Sequence, residues 1–148
     1  MSRNRKKGRV AGGEWRVLAL FEKIRQHFAV SSGNLREFGA YQKALELFDF
    51  VVADVSGYLG QPKLERLVSQ QLASADSVCS NIEEGYGRES TVEYRRFLII
   101  ARGSLRETQG RYHRLRHWLP IEVVAQRIEL AEEINRILSA TIPKLANR

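Results

Sequence analysis

Residues 80–90 read SNIEEGYGRES, a pair of glycines set among four charged residues between two long runs of helix-forming sequence. Gly85 and Gly87 can adopt the left-handed conformation that closes a helix. Ser90-Thr91-Val92-Glu93 then has the S-x-x-E form of a capping box, in which a serine hydroxyl and a glutamate satisfy two orphaned backbone donors at a helix start. The stretch therefore reads as a hinge between two helices. A phosphate-gripping glycine loop would follow a strand and lead into a lysine-bearing helix, and neither feature is present.

Working outward from the hinge, apolar residues recur at steps of three and four on both sides. Upstream, Pro62 suits a first helical turn, and Leu64, Leu67, Val68, Leu72, Ala75, Val78 and Ile82 mark a helix ending near Gly85. Before it, Tyr41, Ala44, Leu45, Phe48, Val51, Val52, Val55 and Leu59 form the stripe of a first long helix, about Leu35 to Leu59, with Gly60 as its stop. Downstream, Tyr94, Phe97, Leu98, Ala101, Leu105, Thr108, Tyr112 and Leu115 predict a third helix running until Pro120 interrupts it. Ile121, Val124, Ile128, Ala131, Ile134, Ile137 and Leu138 predict a fourth, ending before Pro143. No stretch alternates with the period of a half-buried strand, and no repeat is visible. Four long helices with short connections predict an all-α fold, an antiparallel up-down four-helix bundle.

The chain of 148 residues is long enough for one sizeable core. Residues 1–13 carry Arg3, Arg5, Lys6, Lys7 and Arg9, no acid and three glycines, the composition of a disordered basic arm. In residues 14–33, Val17, Leu18, Phe21, Ile24 and Phe28 predict a short amphipathic helix and linker, leaving 34–148 for the bundle. Every apolar run is broken by charge well before the roughly 18 residues of a membrane span, so no membrane partner is expected. VLALF is too short for a secretory hydrophobic region and no small-residue cleavage site follows, so a cytoplasmic location is expected. The single cysteine, Cys79, excludes an internal disulfide and a multi-cysteine zinc site, and suits a small buried thiol.

Catalytic chemistry finds little support. Glu83 and Glu84 oppose the macrodipole at a helix C-terminus, which calls for a cation such as Arg88 to offset them rather than for an acid–base pair. His113 and His117 have the i, i+4 spacing of two metal ligands, but no third ligand is evident and arginines surround them, so neither a metal nor another cofactor is expected. Trp118, with Tyr112, could stack on bases, although a tryptophan at a helix end before Pro120 reads first as packing. With three histidines in all, no serine, histidine and acid constellation stands out.

The net charge of +7 and pI near 9.9 favour a polyanionic partner. The charge is uneven: Arg88, Arg95, Arg96, Arg102, Arg106, Arg111, Arg114 and Arg116 face only Glu89, Glu93 and Glu107 in the same stretch. Arg95, Arg102, Arg106, His113 and His117 step by seven, four, seven and four, which predicts one basic ridge along a helix. The planar arginine fork suits phosphate, so these arginines up to Arg114, together with the basic arm, are the candidate contacts to RNA or DNA. A solvated face whose arginines pair with neighbouring glutamates is the alternative.

The run SQQLASADSVCSNIEEGYGRESTVEYRRFLIIARGSLRE resembles the four helix bundle protein family, also called the 23S rRNA intervening-sequence family. Its pattern, S-N-I-A-E-G-x-G-R followed by a helix with A-x-G-S-L-x-E, is matched by Ser80, Asn81, Ile82, Glu84, Gly85, Gly87, Arg88, Ser90, Glu93, Ala101, Gly103, Ser104, Leu105 and Glu107. Glu83 departs from the usual alanine, and the resemblance covers roughly Phe38 to Leu138. It implies a homopentameric ring of four-helix bundles without known catalytic activity. A related branch serves diversity-generating retroelements as the accessory variability protein, which binds a reverse transcriptase and nucleic acid. Gly103 and Ser104 inside a helix suggest close approach of another helix, since glycine there costs about 1 kcal/mol relative to alanine. The expectation is a non-enzymatic, oligomeric nucleic-acid-binding accessory protein. The alternative is a ring-forming protein scaffold; a small nuclease is disfavoured by the lack of a metal-binding acid cluster.

Overall fold

The computed structural model describes residues 19–20, 23–24 and 33–146. The chain divides into two units, Met1–Asn34 and Leu35–Arg148. In the first, Ala19, Leu20, Lys23 and Ile24 are helical; the predicted basic arm and the rest of the predicted N-terminal helix lie outside the described residues. The second unit consists of four long helices, α1 (Gly39–Val55), α2 (Glu65–Tyr86), α3 (Thr91–Leu115) and α4 (Ile121–Ala146), with no strand among the described residues. None of the described helices is long and apolar enough to cross a membrane.

Each helix packs on its neighbours in the chain, and α1 closes the ring against α4. Side-chain pairs show that neighbours run in opposite directions. Gln71 meets Thr108 while Ser77 meets Ser104 between α2 and α3. Arg102 meets Ser139 while Gln109 meets Glu132 between α3 and α4. Lys43 pairs with Glu133 while Asp54 pairs with Arg127 between α1 and α4. This neighbour pattern is that of an up-down bundle.

The core follows the helical periodicity with local shifts. Leu98, Ala101, Leu105, Thr108, Tyr112 and Leu115 of α3 are buried in the predicted register, with Tyr94 and Phe97 half-buried. On α1 the buried stripe is Ala40, Tyr41, Ala44, Leu47, Val51 and Val55, so Leu47 joins the core and Val52 and Leu59 face out. On α2 the stripe passes through two polar residues, Gln71 and Ser74. These meet Thr108: Gln71 Nε2 donates to the Thr108 carbonyl at 3.2 Å, and Thr108 Oγ1 donates to Ser74 Oγ at 2.9 Å. The seam continues outward, where Ser77 and Ser104 share a hydrogen bond of 2.9 Å and Asn81 Nδ2 donates to the Ser77 carbonyl at 2.7 Å. Short side chains with satisfied hydroxyls let α2 and α3 lie close, while Gln71 Oε1 is buried without a hydrogen-bond partner among the described residues.

A second polar cluster joins three helices. Asp54 of α1 accepts from Arg127 Nε of α4 at 2.9 Å and from the Tyr112 hydroxyl of α3 at 2.8 Å. The Arg127 guanidinium also lies 3.8 Å from the centre of the Phe50 ring, so its flat face is covered as well as its edge. Burial and the Asp54 carboxylate together push the Tyr112 hydroxyl far above the usual tyrosine range.

Helix ends differ from expectation in three places. Gly60 has φ 77° and provides the left-handed stop, but α1 has already ended at Val55, and the chain passes through a 3-10 turn to reach it. Pro62 precedes rather than opens α2, which starts at Glu65. Helix α4 continues through Pro143 to Ala146. Pro143 removes one backbone hydrogen bond, and it does so at an exposed site within a turn of the helix end.

Candidate nucleic-acid interface

The candidate surface is built on α3, which holds six arginines, from Arg95 to Arg114, against Glu93 and Glu107. In the other three helices the acids outnumber the bases. The hinge at residues 87–90 sets the direction of α3. Gly87 closes α2 with φ −74° in the right-handed region, so neither hinge glycine adopts the left-handed conformation expected of it. Gly85 matters for space: a Cβ there would stand 2.8 Å from Phe97 Cβ and 3.0 Å from Tyr94 Cδ2. Ser90 is the N-cap residue, with extended backbone, but its hydroxyl makes no capping bond, so the expected capping box is not formed as predicted.

The two hinge glutamates are both engaged. Arg88 pairs with Glu84 and lies 5.1 Å from the Phe97 ring centre. Glu83 accepts from the buried Tyr41 hydroxyl of α1 at 2.7 Å. Burial, then this carboxylate, raises the Tyr41 pKa well beyond the tyrosine range. Ser80, Glu83, Glu84, Gly87 and Arg88 line an open depression of about 470 Å³. Its acid content makes it a poor place for phosphate.

Along α3 the arginines have unequal surroundings. Arg111 pairs with Glu107 at 3.3 Å and is largely buried beside α2. Arg102 donates to Ser139 Oγ of α4 at 3.3 Å, and Arg95 is half-buried with its Nε unpartnered among the described residues. Arg96, Arg106 and Arg114 are exposed. The arginines of the predicted ridge thus form one of two rails on α3. Arg95, Arg102 and Arg106 lie on the shoulder toward α4, while Arg96 and Arg114, five helical turns apart and so on one face, lie toward α2. Between the rails run Ile99, Gly103 and Gly110. A Cβ on Gly103 would meet nothing within 4 Å among the described residues, so none of the other three long helices approaches the glycine.

Of the eight arginines between 88 and 116, only Arg88 and Arg111 are in ion pairs among the described residues, which leaves six without a carboxylate partner. At the C-terminal end of α3, His113, Arg114, Arg116 and His117 are exposed, and the two arginines there complement the helix dipole. Tyr112 is wholly inside, engaged with Asp54, whereas Trp118, read first as packing, stands 45% exposed. The charge pattern of the sequence locates the arginines; it does not separate Arg96 and Arg106 from Arg111, because the difference lies in which neighbouring helix each one meets. No group of three or more His, Cys, Asp or Glu that could hold a metal occurs among the described residues. Cys79 is buried, and burial pushes its thiol up to about 12, so it is no nucleophile. The predicted arm contacts Arg3, Arg5, Lys6, Lys7 and Arg9 lie outside the described residues.

These features define a class: a small all-helical protein of four long helices with one arginine-rich helix presented at the surface. No curated protein sequence matches the chain. The chain belongs to the 23S rRNA-intervening sequence protein family, whose model matches residues 36–144, from just before α1 to the last turn of α4.

Proposed function

We propose that the protein is a non-enzymatic accessory protein that binds RNA or DNA through the outer face of α3. The observation that carries this reading is the unpaired state of the arginines. A solvated structural face would pair them with the glutamates of α2 and α4, and six of the eight have no such partner among the described residues. Unpaired guanidinium groups gain most from releasing the counterions of a phosphate chain. Contacts of this kind position a nucleic acid without reading its sequence. The family is described by its place in a 23S rRNA intervening sequence and is not one known for enzymes, which makes structured RNA the first polymer to try. The resemblance to the retroelement branch supplies a setting, in which a homopentameric ring would multiply the rails and a reverse transcriptase would be the protein partner.

One observation favours a second reading, a ring-forming scaffold. Gly103 is open, and Ile99 and Ile100 beside it are exposed, so the strip between the rails can seat another copy. Binding of labelled RNA and duplex DNA at low and near-physiological salt, with the mass followed by light scattering, separates the two. Tight binding that weakens steeply with salt supports the first reading. An oligomer that ignores both polymers replaces it with the second.

A further inference from the structure

Trp118 sits in the turn between α3 and α4, and the structure fixes its backbone while leaving its ring in the open. Its N–H donates to the Leu115 carbonyl at 2.9 Å, and its carbonyl accepts from the Tyr58 hydroxyl at 2.8 Å across the end of the bundle. The residue is 45% exposed, and its ring meets the His117 ring at a steep angle, with centroids 5.8 Å apart and planes at 79°. Part of the tryptophan surface is therefore open to solvent.

The surroundings are rich in basic residues. His113, Arg114, Arg116 and His117 precede the tryptophan, and the Arg116 guanidinium donates to the His113 carbonyl rather than to an acid. The antiparallel packing of α2 on α3 brings the start of α2, with Lys63 and Arg66, to the same end of the bundle. Asp54, Glu65 and Glu122 are acids of this end; Asp54 is taken up by Arg127 and Tyr112, and neither glutamate is in an ion pair with these residues. An exposed, backbone-anchored aromatic ring beside a basic track is the arrangement that binds unpaired nucleotides: the ring stacks on a base while cations hold the phosphates. Duplex cannot use it, because its bases are already stacked on each other.

We propose that Trp118 is a stacking platform for an unpaired nucleobase, so that the protein prefers single-stranded or looped RNA or DNA to duplex. The inference rests on the reading of α3 as a phosphate-binding face and adds the class of nucleic acid that face takes. RNA and DNA share this chemistry, and a uridine oligonucleotide and a thymidine oligonucleotide tell them apart.

The test uses the full chain, in which Trp15 and Trp118 are the two tryptophans, so a Trp15→Phe background reports Trp118 fluorescence alone. Oligo(U), oligo(dT), a duplex and an abasic oligodeoxynucleotide are titrated into this protein and into its Trp118→Ala and Trp118→Phe variants, with binding of the variants followed by anisotropy of the labelled nucleic acid. The expected result is quenching of Trp118 by at least one of the two base-bearing single strands and not by the abasic one. Trp118→Ala should lose roughly tenfold in affinity for that strand, with duplex and abasic binding unchanged and Trp118→Phe recovering most of the loss. Nucleic-acid binding that Trp118→Ala leaves intact, or weakens equally for duplex and single strand, overturns the stacking platform and leaves the arginine reading standing. Single-strand binding that needs Trp118 but survives Arg96→Glu with Arg106→Glu keeps the platform and overturns the rails. Absence of binding to any of the four overturns both, and a change of mass in Trp118→Ala overturns the platform by making this end an interface between copies.

Discussion

Gly85 and Gly103 belong to the same sequence motif, yet they stand in opposite physical situations. At Gly85 an alanine methyl would press on Phe97 Cβ, an atom fixed to the backbone, so α2 and α3 would have to part. Gly85→Ala should cost about 1–3 kcal/mol of unfolding free energy in a denaturant titration. At Gly103 nothing among the described residues opposes the methyl, and Gly103→Ala should stabilise the folded chain by up to about 1 kcal/mol through helix propensity. A Gly103→Ala variant whose unit is stabler but whose oligomer is lost would show that the glycine serves a second copy. Cys79 gives a third residue-scale test. Its thiol should resist a disulfide reagent at mildly alkaline pH in the folded protein and react at once in denaturant. The sign of its pH effect follows from the raised pKa. Below the ordinary thiol value of 9.0 the folded and unfolded chains both hold the proton; as pH rises from there toward about 12 only the unfolded chain releases it, so this contribution to stability is lost. Tyr41 and Tyr112, also raised by burial, act in the same direction from the ordinary tyrosine value of 10.0 upward. A stability curve flat from pH 9 to 12 would contradict this account of the buried core.

Between helices, the cluster of Asp54, Arg127 and Tyr112 ties α1, α3 and α4 at a point where apolar packing alone leaves register free. Removing Asp54 strands a largely buried guanidinium and a buried hydroxyl, and Asp54→Ala should cost about 3 kcal/mol. Tyr112→Phe removes one hydrogen bond and leaves the ion pair, so about 1 kcal/mol is expected. Equal losses in the two variants would mean that the ion pair adds nothing beyond the hydroxyl contact. None of this cluster was legible in the sequence, because Asp54 and Arg127 are 73 residues apart and periodicity marks only apolar positions. The helices themselves were legible, since strong three-and-four spacing survives small errors of register. Val52 shows the size of such errors: adjacent valines offer two equivalent stripes, and the packing of α1 on its neighbours selects Val51. Gln71 shows the opposite failure, a polar residue at a core position whose partner, the Thr108 carbonyl, only the fold supplies. For the candidate surface, the sequence locates the arginines but not their neighbours, and neighbours decide which of them are available.

At the scale of the whole molecule, the question is whether the net charge or its placement attracts a polyanion. A net charge of +7 draws any nucleic acid weakly from a distance, and charge reversal anywhere would diminish that pull. A localised interface behaves differently, because each phosphate neutralised in contact releases its own counterions. Arg96→Glu with Arg106→Glu is therefore set against Arg136→Glu with Lys144→Glu, exposed cations of α4 outside the rails. Both pairs lower the net charge by the same amount, so any difference between them measures placement. The α3 pair should remove two phosphate contacts and reduce the slope of log K against log salt by about 2 for duplex DNA. The α4 pair should shift affinity modestly at low salt and leave the slope unchanged. Circular dichroism and light scattering on both should match the parent, since none of the four side chains is in an ion pair or the core. Equal slopes from the two pairs would reduce α3 to one contributor among many to a diffuse positive field; a lost slope confined to the α3 pair would make its outer face the contact.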